Sequence, residues 1–144
     1  MLAQVAWHFE HSAESTAAKE DVWPFYSDVA RWADWSPGVE WARLDGPFEI
    51  GTKGKSKPPS SPALRFRLTA VDPGTMFASE VRLPGARLFF EHHIEDLERG
   101  ARITHRVTLS GPLSFLYLPS VRRTTEQALS DGVDRLAQMA ASHR

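Results

Sequence analysis

Apolar and polar residues alternate from Gln4 to His11, with Val5, Trp7 and Phe9 on one side and Gln4, Ala6, His8 and Glu10 on the other. A period of two is the spacing of a strand with one buried face, so a first strand is predicted over Gln4–His11. Ser12–Thr16 interrupt the alternation. Lys19, Glu20 and Asp21 then place acids where the first turn of a helix favours them, ahead of the apolar residues Val22, Phe25 and Tyr26. Pro24 removes an amide donor and crowds the preceding turn, so this helix is expected to be short or bent. The run DVARWADWSP, Asp28–Pro37, predicts a second short helix carrying Trp32 and stopping before Pro37.

From Val39 onward the chain reads as six strands, Val39–Leu44, Gly51–Lys57, Ala63–Val71, Phe77–Leu83, Arg87–Asp96 and Arg102–Ser110, divided by Gly, Pro and Asp. Links this short predict an antiparallel meander, because parallel neighbours need long crossovers. Leu113–Arg144 places Val121, Leu129, Val133, Leu136 and Ala140 near helical spacing among charged residues. Pro119 is expected to divide this stretch into an apolar turn, Leu113–Leu118, and a main helix that carries proline in its first turn.

Composition narrows the functional classes. At 144 residues, with 42% hydrophobic and 24% charged residues, the chain fits one domain, 1–144, with room for a core and a pocket. The 17 basic and 18 acidic side chains leave a formal charge of -1, which lacks the electrostatic footprint of a general nucleic-acid binder. With no cysteine, disulfides, thiolate nucleophiles and cysteine-held metals are excluded. Met1–Glu10 shows no basic start followed by a long apolar run, and no window has the length of a membrane-spanning helix. The expectation is a cytoplasmic protein, monomer or homodimer, with no cofactor and no stable membrane insertion.

The order strand, two short helices, six strands, long helix resembles the helix-grip fold of the START-like (SRPBCC) superfamily, in particular its polyketide cyclase/dehydrase group. The likeness rests on VWPFYSDVARWADWSPGVEW (Val22–Trp41), the Gly51–Thr52 strand start, FEHHIEDLERGARITHRVTLSGPL (Phe90–Leu113) and the helix after it. It implies an α+β fold in which a curved seven-stranded antiparallel sheet wraps a long C-terminal helix around a cavity. Trp35, Gly51, Thr104 and Gly111 match recurring positions of the group that look structural, and no catalytic set carries over.

The candidate chemistry lies in the last hairpin. If Phe90–Ile94 pairs with Ile103–Val107 so that Ile94 faces Ile103, then Phe90 faces Val107, Leu88 faces Leu109, and His92 faces His105 on the inward side. Two adjacent imidazoles serve either as a polar anchor or acid/base pair for a guest, or as core histidines satisfied by backbone or water. A metal would need further donors, but Glu91, His93 and Glu95 point to the opposite face. Trp23, Trp32, Trp35 and Trp41 cluster around the short helices and the next strand, where an indole suits either an aromatic guest or helix-to-sheet packing.

The other strands are expected to turn Phe66, Phe77, Ser79 and Val81 inward, leaving Arg65, Arg67, Glu80 and Arg82 outward as a solvated ionic ladder. Tyr117, Val121, Thr125 and Leu129 would close the cavity from the helix side. Candidate ligand contacts are therefore Trp32, Trp35, Phe66, Phe77, Ser79, Val81, Phe90, His92, His105, Val107, Tyr117, Val121, Thr125 and Leu129. The stretch GTKGKSKPP, Gly51–Pro59, lacks the spacing and the following helix of a phosphate loop and reads as a strand and a loop beside the cavity mouth. Three readings follow: binding of a small hydrophobic molecule of aromatic, polyketide-like or lipid-like class; a cyclase or dehydratase with His92 and His105 as acid and base; or a co-chaperone-like domain accepting a partner's apolar segment.

Overall fold

The computed structural model describes residues 5–142, so Gln4 and Arg144, expected to bound the first strand and the last helix, lie outside the described residues. Strand β1 (Val5–Ser15) is followed by α1 (Lys19–Ser27), a 3-10 turn (Val29–Arg31) and α2 (Trp32–Trp35). Then come β2 (Trp41–Leu44), β3 (Lys53–Lys57), β4 (Leu64–Asp72), β5 (Met76–Leu83), β6 (Ala86–Asp96), β7 (Ala101–Ser110) and α3 (Ser114–Ser142). All seven strands form one antiparallel sheet in the order β1-β7-β6-β5-β4-β3-β2. The segment holding α1 and α2 thus carries the chain from one sheet edge to the other. None of the helices among the described residues is long and apolar enough to cross a membrane.

β1 runs four residues past the predicted His11 because Ser12–Ser15 keep pairing with Thr104–Ala101 despite their polarity. At its end the Ser15 hydroxyl donates to the Ala137 carbonyl at 2.7 Å and accepts the Ala17 amide at 3.1 Å, which pins the strand to α3. In α1 the Asp21 carboxylate accepts the Ala18 amide at 3.3 Å, satisfying a donor that no capping side chain reaches. Pro24 sits inside this nine-residue helix.

Pro119 does not divide the last helix, which is continuous over Ser114–Ser142. The bond that proline forfeits belongs to the first turns, where Phe115 and Leu116 are exposed and water can reach the freed carbonyl. Val121, Val133, Leu136, Ala137 and Ala140 bury one face of α3 against the sheet. The outward row on β4 and β5 also differs from a solvated ladder. Glu80 is only 5% exposed, because Arg82 at 2.9 Å and Arg67 and Arg87 at 3.9 Å converge on it from three strands.

A shift in pairing between Leu68 and Ala70 inserts Thr69 as an extra residue on β4, so Leu68 faces Ser79 while Val71 faces Phe77. The bulge keeps both Leu68 and Val71 on the inward face. The β6–β7 turn needs a residue without a side chain: Gly100 has φ of +85°, and a Cβ there would collide with the Ser15 carbonyl oxygen. Gly100→Ala is expected to lose about 3 kcal/mol of stability or more, measured by urea unfolding, since backbone strain and a clash with fixed backbone add.

Candidate functional site

Residues from α2, β3 to β7 and α3 wall a cavity of about 540 Å³ between the sheet and α3. α2 supplies Trp32 and Trp35, β4 supplies Leu64 and Phe66, β5 supplies Ser79, Val81 and Leu83, and β6 and β7 supply Leu88, Phe90, His92 and His105. From α3 come Ser120, Val121, Thr124, Thr125, Ala128 and Leu129. Exposed Pro59, Ser61, Ser120 and Thr124 mark the rim where the cavity meets solvent. Glu91 and Arg106 also touch it, but the pleat turns their charged ends outward, where Glu91 meets His93 at 3.3 Å and Arg106 meets Glu10 at 3.7 Å.

His92 pairs with His105, Ile94 with Ile103, Phe90 with Val107 and Leu88 with Leu109. The two imidazole centroids are 4.6 Å apart with rings steeply inclined. Phe77, opposite His92 on β5, stacks flat on its ring at 4.0 Å. The Tyr26 hydroxyl lies 2.8 Å from His105 Nε2, and its ring makes edge contacts with Phe77 and His92. Tyr26 is fully buried, so α1 sets a phenol against the inner end of the histidine pair.

The indole N–H groups of the two cavity tryptophans are already engaged. Trp32 donates to the Tyr26 carbonyl at 2.9 Å and Trp35 to the Phe25 carbonyl at 3.1 Å, which satisfies acceptors in the last turn of α1. What remains for a guest is the apolar ring surface that their neighbours leave uncovered. Trp32 is in ring contact with Phe66 and Phe77, and Trp41, 39% exposed, is not part of the lining.

Of the residues singled out from sequence, Trp32, Trp35, Phe66, Ser79, Val81, Phe90, His92, His105, Val121, Thr125 and Leu129 line the cavity. Phe77 and Val107 are fully buried behind it, where strand neighbours cover them. Tyr117 lies outside the lining because its hydroxyl donates to the Pro84 carbonyl at 2.7 Å, tying α3 to the β5–β6 turn. Tyr26 was missed as a site residue. Its apolar spacing with Val22 marked only a buried helix face, and its contact with His105 spans 79 residues.

Burial dominates the electrostatics. It lowers His92 from 6.5 to about 3, with the Phe77 backbone pulling upward and His93 adding a small lowering. Burial likewise holds His105 well below its ordinary value, helped by His92, His93 and His11, and pushes the Tyr26 hydroxyl well above 10.0. Near neutral pH the cluster is therefore an uncharged set of hydrogen-bonding groups. Nδ1 of His92 is buried without a partner. No group of three or more His, Cys, Asp or Glu among the described residues is placed to hold a metal.

The model of the family described as polyketide cyclase / dehydrase and lipid transport matches residues 6–141. The chain belongs to that family. Among solved structures, norcoclaurine synthase from Thalictrum flavum, in complex with dopamine and hydroxybenzaldehyde, is 16% identical with a TM-score of 0.73, covering 99% of this chain and 90% of that one. The di-domain ARO/CYC StfQ from the steffimycin biosynthetic pathway is 17% identical with a TM-score of 0.74, and 95% of this chain covers 51% of it, about half its length. Ara h 8.0201 is 15% identical with a TM-score of 0.67, covering 94% of this chain and 98% of that chain. These likenesses show a shared helix-grip fold. Comparison with curated proteins finds no match.

The depressed histidines make stability depend on pH in a defined direction. As pH falls below 6.5 the unfolded chain takes up protons that the folded chain refuses until about 3, so stability is lost as pH falls through that window. Each ring is expected to contribute a slope of about 1.4 kcal/mol per pH unit. Urea unfolding of the wild type and His105→Gln from about pH 7 to about pH 5 checks this. The variant should lose the slope of one ring, and an unchanged slope would show that His105 titrates alike in both states.

Proposed function

We propose that the protein binds one neutral, largely apolar small molecule in the cavity, with a hydroxyl or carbonyl group directed at His92 and His105, the latter backed by Tyr26. The observation that carries this reading is the combination of largely apolar walls with a buried, uncharged histidine pair. A volume near 540 Å³ suits a small-molecule ligand. Trp32, Trp35, Phe66 and Phe90 offer flat apolar surface suited to an aromatic or polycyclic body, while neutral imidazoles donate or accept according to tautomer. A carboxylate or phosphate would enter without a cation to meet it, at a steep desolvation cost.

The same cluster supports a second reading, in which it catalyses cyclisation or dehydration of a polyketide-like chain. The favouring observation is the hydrogen-bond contact between the Tyr26 hydroxyl and His105, whose ring packs against His92, so that two imidazoles stand together at the cavity wall. Neutral histidines are available as bases at pH 7, whereas burial disfavours the imidazolium needed as an acid. Binding is therefore placed first.

Native mass spectrometry with a panel of aromatic alcohols and ketones and their carboxylate analogues tests the binding reading. Neutral members are expected to bind, and matched carboxylates at least about tenfold more weakly. Leu129→Trp, which fills the cavity from α3, should abolish binding with the fold retained by circular dichroism. No binding across the panel, or equal binding of both series, would overturn the proposal. Turnover of a poly-β-ketone that disappears in both His92→Asn and His105→Asn would instead select the catalytic reading.

A further inference from the structure

The outward face of the sheet is divided into two halves of opposite character. On β6 and β7 the cross-strand neighbours are complementary: Glu91 faces Arg106 and Glu95 faces Arg102. β1 repeats this, with Glu10 opposite Arg106 and Glu14 opposite Arg102. On β2, β3 and β4 the arrangement is reversed. Arg43 faces Lys55, Lys55 faces Arg65, and Lys53 faces Arg67. Like charges directly opposed in a sheet repel, so this half of the surface costs the free protein stability.

These residues surround a depression of about 630 Å³ on the outer face, which reaches Arg82 on β5 and shares Phe66 with the cavity lining. Glu80 forms the floor and takes one contact each from Arg67, Arg82 and Arg87, leaving further guanidinium donors on each for an incoming anion. Lys53, Lys55 and Arg65 make no ion pair among the described residues.

We propose that this face docks an acidic segment of a partner protein, whose carboxylates relieve the repulsion built into β2–β4. Three observations favour a protein segment. Glu80 and Asp45 put negative charge inside the footprint, which carboxylates on flexible side chains can turn away from but phosphates fixed in a backbone cannot. The chain's formal charge of -1 gives no long-range pull on a nucleic acid. None of the exposed large apolar residues, Trp41, Ile50, Leu113, Phe115 and Leu116, lines the depression, so nothing there would insert into a bilayer.

The deciding variant is Lys55→Glu, because its new carboxylate would face both Arg43 and Arg65. The expected pair of results is unusual for a surface change: a higher melting temperature of the free protein, and binding of a fluorescein-labelled oligo-glutamate peptide weakened by roughly tenfold or more. Wild-type peptide binding should fall steeply as salt rises to ~0.15 M and should survive Leu129→Trp, which separates this face from the cavity. Absence of salt-sensitive peptide binding, equal binding by Lys55→Glu, or tighter binding of an oligonucleotide, of phosphatidylserine vesicles or of a second copy of the chain would each overturn the proposal.

Discussion

The register in which β6 and β7 pair keeps Leu88, Phe90 and Ile94 in the interior opposite Leu109, Val107 and Ile103, and the same register sets His92 against His105. The apolar pairs on either side hold two imidazoles together in a dry place where neither is readily protonated. Cavity polarity, pH response and the order of the functional readings all follow from this. A slip of β6 by one residue against β7 would send His92 outward while His105 stayed inward, because β1 also holds β7.

α1 and α2 complete what the hairpin begins. Their short connection places Tyr26 over His105 while Trp32 and Trp35 donate to carbonyls at the end of α1. Those bonds matter because a helix end buried against a sheet has few other partners for its last carbonyls. The indoles therefore act on both sides: their N–H groups finish the helix and their rings form the cavity wall. Tyr117 and Ser15 fix α3 to the turn after β5 and to the end of β1, so that the sheet grips the helix at both ends.

The two faces of the sheet follow different rules. Inside, charge is kept out and polarity is confined to neutral groups. Outside, complementary pairs cover β1, β6 and β7, whereas β2, β3 and β4 present like charges to one another. That repulsion coincides with a depression on the outer face.

Period-two alternation in the last hairpin was enough to determine the facing of His92 and His105, because a strand's faces and a hairpin's register are local consequences of which residues must be buried. The same local logic marked Phe66, Ser79 and Val81 as inward and α3 as the closing element. The contact of Tyr26 with His105, the engagement of the tryptophan N–H groups and the loss of Tyr117 to the Pro84 carbonyl were decided only by the tertiary structure, since each joins residues from different elements. Glu80 shows the same limit: alternation places it outward, but Arg82 on its own strand and Arg67 and Arg87 on the neighbouring strands bury it. Periodicity reports which way a side chain points; what meets it there depends on where distant elements come to rest.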